Sequence, residues 1–316
     1  MKIGLIGAPI WQGQAIIGVD DAPFVLRRAG LVKWLSQQAI VCDYGDIAAA
    51  AGDRAERTGP VRQVAAVAAS VTRLRDKVSE VLKDGCLPII LGGDHSMAIG
   101  TLAAMLKKYP SLGVIWFDAH ADINTPETSP SGNIHGMPLA AAMGLGDARL
   151  TGVGAAAPRL SARNLVYIGL RDVDPGEAAF LQAQGIRSYS TEDVHRMGMG
   201  KVLEETLHYL SHCDGIHLSF DYDGLDPHQF GAVGTPVAQG MTLDEGKLLL
   251  DELGKSGRLV SADFVEYNPV IVPAADLATT ALELIGNLFG AEKNAAEVDC
   301  FSIRMLKNGI EQPVLA

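Results

Sequence analysis

Asp118-Ala119-His120-Ala121-Asp122 and Asp221-Tyr222-Asp223 place carboxylates and an imidazole at every second position, each directly after an apolar run. In extended backbone alternate side chains share a face, so each segment is expected to aim its charged groups into one pocket. Carboxylates gathered at low dielectric repel one another strongly unless a proton or a cation sits between them. A multivalent metal site is the leading reading. His95, in Gly92-Gly93-Asp94-His95-Ser96, follows a further apolar run and adds an imidazole. Carboxylate-rich sets with a minority of imidazoles suit hard to borderline divalent ions, whereas all-imidazole or thiolate sets suggest zinc or copper. Any one of these acids, taken alone, reads equally as a turn residue or a helix cap. Their coincidence at the same kind of position favours a shared site.

The elements that must position them are legible as short apolar runs ending in polar residues. Leu87–Leu91 precedes Gly92, Leu112–Phe117 precedes Asp118, and Leu165–Leu170 precedes Arg171-Asp172-Val173-Asp174. Ile216–Phe220 precedes Asp221, and Leu259–Val265 precedes Glu266. Between the runs lie helical periodicities over Val61–Leu82, where Gly85 supplies a stop, over Thr191–Leu210 and over Thr242–Leu253. Strand and helix in alternation predict an α/β fold, a single-domain parallel sheet of about eight strands with helices on both faces. Ligands bind such sheets beyond the carboxyl ends of the strands, the edge to which five runs deliver their polar residues.

With 316 residues and 48% hydrophobic content the chain can bury a full α/β core. Residues 1–316 are read as one domain, without linker, repeat or low-complexity tract. Met1–Trp11 is apolar but broken by Gly4, Gly7 and Pro9 and followed by Asp20 and Asp21, so a first buried strand is expected there, not a secretion signal. No apolar stretch reaches the roughly eighteen residues of a membrane span. Cys42, Cys86, Cys213 and Cys300 are scattered without a CxxC pair, which favours reduced, buried thiols in a cytoplasmic protein. The net charge of −11 and the lack of a basic stripe argue against a nucleic-acid partner.

Gly92-Gly93-Asp94-His95-Ser96, Asp118-Ala119-His120-Ala121-Asp122 and Ser219-Phe220-Asp221-Tyr222-Asp223-Gly224-Leu225-Asp226-Pro227 resemble the three metal motifs of the ureohydrolases, the arginase and agmatinase family. The resemblance runs from Gly7-Ala8-Pro9 to Glu266-Tyr267-Asn268-Pro269. Within the family the arginase branch is the more similar. Asn124-Thr125-Pro126 with Ser131-Gly132-Asn133-Ile134-His135-Gly136 resembles the loop that holds the α-carboxylate and α-amino group of an amino-acid substrate. Gly169-Leu170-Arg171-Asp172-Val173-Asp174-Pro175-Gly176-Glu177 resembles the segment whose second aspartate reaches the α-ammonium.

The resemblance implies hydrolysis of L-arginine to L-ornithine and urea by a hydroxide bridging two manganese ions per subunit. His95, Asp118, Asp122 and Asp221 would hold one ion and Asp118, His120, Asp221 and Asp223 the other. Asn124, Ser131, Asn133, Asp174 and Thr235 would touch substrate. A guanidinium is resonance-stabilised and stays cationic, so water alone is too weak a nucleophile for it. Bound water loses several pKa units, which supplies one. Asp122 would steady the tetrahedral stage, His135 would shuttle a proton to the leaving amine, and Glu266 would receive the guanidinium through paired hydrogen bonds. The family also implies a homo-oligomer, a trimer or hexamer.

Other residues carry less. His208 and His212 are expected to be exposed on a helix and His217 to pack, while Gly152-Val153-Gly154 and Gly231-Ala232-Val233-Gly234 lack the context of a phosphate loop. Two stretches depart from the arginase pattern: Ala238-Gln239-Gly240 stands where glycines are usual, and His228-Gln229-Phe230-Gly231-Ala232 lacks a second proline. The competing functions are an agmatinase or other guanidino-compound hydrolase, a single-zinc deacylase on a related sheet, and a binding subunit without chemistry. Urea assays on arginine and agmatine, and metal counts, separate them.

Overall fold

The five apolar runs are strands of one parallel sheet, each with bounds within a residue of those expected. A computed structural model describes residues 1–53, 57–271 and 275–290; Cys300 and the last part of the expected 1–316 domain lie outside the described residues. The chain opens with β1 (Lys2–Gly7), α1 (Ala22–Arg28), α2 (Leu31–Leu35) and β2 (Ile40–Asp46). A small hairpin, β3 (Arg57–Thr58) and β4 (Val61–Arg62), leads into α3 (Val64–Lys83), β5 (Leu87–Leu91), α4 (Ala98–Lys108) and β6 (Leu112–Phe117). After α5 (Pro138–Met143) and α6 (Ala148–Thr151) come β7 (Leu165–Leu170), α7 (Pro175–Gln184), β8 (Arg187–Ser190), α8 (Thr191–Met197) and α9 (Met199–Tyr209). β9 (Gly215–Asp221), α10 (Leu243–Lys255), β10 (Leu259–Val265) and α11 (Ala275–Asn287) complete it.

The eight long strands are ordered β2-β1-β5-β10-β9-β6-β7-β8, parallel throughout. β6, β7 and β9 are buried along their whole length because both faces are covered. Ile115 and Phe117 face α1, α2 and α9 to α11, whereas Val114 and Trp116 face α3 to α5. The chain runs from β5 to β6 without pairing them, and β9 and β10 later fill the gap. That break in strand order lies at mid-sheet, where an open α/β sheet makes its crevice.

The three expected helices differ in their bounds. Val61 belongs to the hairpin, and left-handed Gln63 (φ 47°) breaks the chain before α3. The periodicity over Thr191–Leu210 is two helices, because Gly198 (φ 85°, ψ 137°) turns the backbone out of helical geometry. Thr242 caps α10, accepting from the Glu245 N–H, and is not its first helical residue. Cys86 and Cys213 are buried free thiols, but Cys42 is only partly buried. His208 and His212 are exposed and His217 fully buried, as expected. Among the described residues no helix is long and apolar enough to cross a membrane.

Candidate metal centre

All three motifs use the same local device. Asp94 accepts from the Ser96 N–H (3.0 Å), Asp118 from the His120 N–H (2.7 Å) and Asp221 from the Asp223 N–H (2.7 Å). Each acid closes a turn with its own side chain where a strand ends. This corrects the expected cause of convergence. Asp118–Asp122 leaves the sheet in a bend and Asp122 is left-handed (φ 51°), while Tyr222–Gly224 forms a short 3-10 turn. Side-chain capping, with an aspartate that tolerates positive φ, gathers the ligands where a straight strand would spread them.

The candidate ligand atoms form two groups. His95 Nδ1 lies 3.1 Å from Asp118 Oδ2, 2.9 Å from Asp122 Oδ2 and 3.0 Å from Asp221 Oδ2. His120 Nδ1 lies 3.3 Å from both Asp118 Oδ1 and Asp223 Oδ2. Asp118 therefore turns one oxygen to each group; Asp221, expected to bridge, joins the first. Each group could hold a metal ion. His95 Nδ1 makes no hydrogen bond among the described residues despite its three carboxylate neighbours, a convergence suited to coordination.

Neighbouring residues aim the ligands. Ser219 Oγ, 2.8 Å from His95 Nε2, leaves Nδ1 free for the carboxylates. Trp116 stacks on the His95 ring at 4.1 Å and donates Nε1–H to Asp118 Oδ2 at 2.9 Å. Asp172 Oδ2 stands 3.8 Å from His120 Nε2. The Arg171 guanidinium donates to the backbone carbonyls of Gly169, Asp223, Gly224, Leu225 and Val237, fastening the Asp223 turn to the 237–238 loop. Just beyond, Gln239 holds a left-handed φ of 63°, a position where a glycine would carry no strain.

The electrostatics ask for positive charge. Burial, with Asp223 and Asp118 nearby, holds Asp221 well above the usual carboxylate range, and burial with Asp118 pushes Asp122 up to about 6. Burial opposes charge on His95 and His120, yet the surrounding aspartates raise both. The cluster thus draws protons in the absence of a cation. Its donor set and four negative charges fit a pair of divalent cations.

Glu266 and His135 sit beside the ligands. Glu266 is buried in left-handed backbone (φ 65°); its Oε1 accepts from the His95 N–H (2.9 Å) and meets His135 Nδ1 (3.1 Å), and its Oε2 accepts from Gln14 (2.8 Å). Burial opposes its charge, but His135 holds its pKa below the ordinary value. Burial opposes charge on His135 too, and Glu266 outweighs it, raising the pKa to about 9. The close stitching explains Gly92-Gly93: a Cβ on Gly93 would lie 2.1 Å from the Ile10 carbonyl oxygen, and one on Gly92 2.6 Å from that of Phe264.

The remaining expected residues divide. Asn124 donates to Asp174 Oδ2 at 2.8 Å, and Asp174 also begins α7, its N–H bonded to Glu177. Asn133, partly buried, leaves its Oδ1 without a partner among the described residues, and Ser131 is exposed on the same loop. Thr235 donates to Asp223 Oδ2 at 2.8 Å, so its hydroxyl reaches a candidate ligand. Sequence reasoning missed Gln14, Trp116, Ser219, Arg171 and Asp172. Ser219 and Trp116 share strand parity with Asp221 and Asp118, a signal that could have found them.

A family model described as the Arginase family matches residues 1–290. The arginase of Bacillus caldovelox is 45% identical over 292 residues, covering 91% of this chain and 98% of its own. Arginase-1 of Homo sapiens is 45% identical over 273 residues, 84% of this chain and 85% of its own. Among solved structures, arginase from Bacillus cereus superposes with a TM-score of 0.87 at 45% identity, covering 93% of this chain and 100% of that one.

Proposed function

The chain belongs to the arginase family, and from that premise we propose that it hydrolyses L-arginine to L-ornithine and urea with two manganese ions per subunit. The observation that carries the reading is Asp118, turned with one oxygen to each of two ligand groups. His95, Asp122 and Asp221 would complete one site with it, and His120 and Asp223 the other. When bound, such a pair supplies Lewis acidity and a water acid enough to attack near neutral pH. The same reading includes a cytoplasmic location and a homo-oligomer, trimer or hexamer.

The chain's own residues supply the rest. Glu266 meets the guanidinium and fixes its plane, having one oxygen lone pair fewer committed on Oε2 than on Oε1. Asp122 accepts a hydrogen bond from the attacking oxygen. His135, hydrogen-bonded to Glu266, hands a proton to arginine Nε as that nitrogen leaves. Cations bound close by would lower the His135 pKa from about 9 toward the range of a shuttle. Asn124, Ser131, Asn133 and Asp174 would hold the α-carboxylate and α-ammonium, with Thr235 steadying Asp223.

Agmatine lacks the α-carboxylate, so urea release from arginine and from agmatine by manganese-loaded protein tests the substrate. Arginine is expected to be favoured, and Asn133→Ala to raise KM for arginine. Equal rates on the two compounds would replace this reading with a broader guanidino-compound hydrolase.

A further inference from the structure

Gln14, in the loop after β1, has a role that the metal ligands do not fill. It is 2% exposed and donates its amide N–H to Glu266 Oε2 at 2.8 Å. Facing a carboxylate, only the NH2 end of the amide can point that way, so Oε1 must point elsewhere. It points toward Gly234, where a Cβ would lie 3.0 Å from it, beside Thr235 and its bond to Asp223. There Oε1 is buried and has no partner among the described residues. An acceptor left unpaired in that way destabilises the fold unless something fills it.

The loop is held for the purpose. Gly13 N–H donates to Asp94 Oδ2 at 2.8 Å, and the Gly13 carbonyl accepts from the His135 N–H at 3.1 Å. Gln14 is thereby fixed to the turns that carry His95 and His135. We propose that Gln14 is a specificity residue that reads the substrate guanidinium: its N–H orients Glu266, and its free Oε1 accepts a guanidinium N–H beside that carboxylate. The inference rests on the arginine-hydrolysing reading above. Glu266 alone would take any cation; the added neutral acceptor selects a planar, multiply donating one.

The test compares Gln14→Met and Gln14→Leu with wild type, each loaded with manganese. It measures metal per chain, kcat and KM for L-arginine, and the inhibition constant of L-ornithine, which has no guanidinium. Loss of one charge-assisted hydrogen bond predicts a fall of roughly 10- to 100-fold in kcat/KM for arginine, with ornithine inhibition and metal content within about twofold of wild type. A merely structural role would weaken arginine and ornithine together, and that result, or unchanged arginine kinetics in both variants, would overturn the inference. If Gln14→Met does not fold, Gln14→Leu decides, since it too removes both the acceptor oxygen and the N–H toward Glu266 without adding charge. Wild type that releases no urea from arginine would instead remove the proposed function, a separate outcome.

Discussion

The two faces of β9 and β10 are built on opposite principles although both are buried. Toward α10 and α11, Leu218, Phe220, Ala262 and Phe264 join an apolar cluster in which Phe117 and Phe220 stack at 4.4 Å and Tyr222 and Phe230 at 4.8 Å. Toward α3 and α4 the same strands present His217, Ser219 and Asp221 beside Ser261 and Asp263, none more than 2% exposed. His217 bonds Ser261 at 2.8 Å and lies 3.5 Å from Asp263, whose two carboxylate oxygens have no hydrogen-bond partner among the described residues. One face lowers the free energy of folding through burial; the other carries polar groups whose desolvation is costly. That cost lies directly beneath the ligands, and Ser219 hands it on to His95. The chemistry is therefore supported by a column that stability alone would not select.

The sharpest way to break this division is to exchange one residue on the apolar face and one in the turn that ends the polar face. Phe220→Ala is expected to lower the unfolding free energy by about 3–5 kcal/mol in denaturant titration while surviving protein keeps its metal. Asp223→Asn should leave the denaturation midpoint of chelator-treated protein nearly unchanged but reduce metal occupancy and urea release together. Full occupancy and full rate in Asp223→Asn would undo the assignment of the metal site at the end of the polar face.

A double-mutant cycle in the column comes next. His217→Leu or Asp263→Leu alone should destabilise by roughly 3 kcal/mol, because each leaves its partner buried without a counterpart. The double variant should recover to within about 1 kcal/mol of wild type and yet remain slower in turnover. Additive losses would show that the two residues act independently.

The smallest effect concerns pH. His135 is held at about 9 against an unfolded value near 6.5, so in metal-free protein its stabilisation is complete below about 6.5 and disappears as pH rises through about 9. His135→Asn should therefore be less stable than wild type at pH 6, by on the order of 2 kcal/mol, and nearly equal to it above pH 9.5. A gap of the same size at both pH values would mean that the ion pair with Glu266 is not its source.

Much of this was legible in the linear chain. Apolar runs of strand length, each followed by acids or histidine, marked five strands of the sheet, its carboxyl edge and the residues that gather into the two His/Asp groups, because burial on both faces and a polar strand end both leave local traces in composition. The breaks at Gln63 and Gly198 were not legible: a helical periodicity persists across a turn that only backbone geometry reveals. Nor were the partners of the ligands. Gln14 meets Glu266 across 252 residues, and Ser219 meets His95 across 124. Sequence alone determined which residue types arrive at one sheet edge, since alternation and turn chemistry are set by neighbours. Only the tertiary structure decided that Asp118 faces both ligand groups and that Gln14 presents an unpaired oxygen there, since strand order and loop docking join segments with no local signal of their meeting.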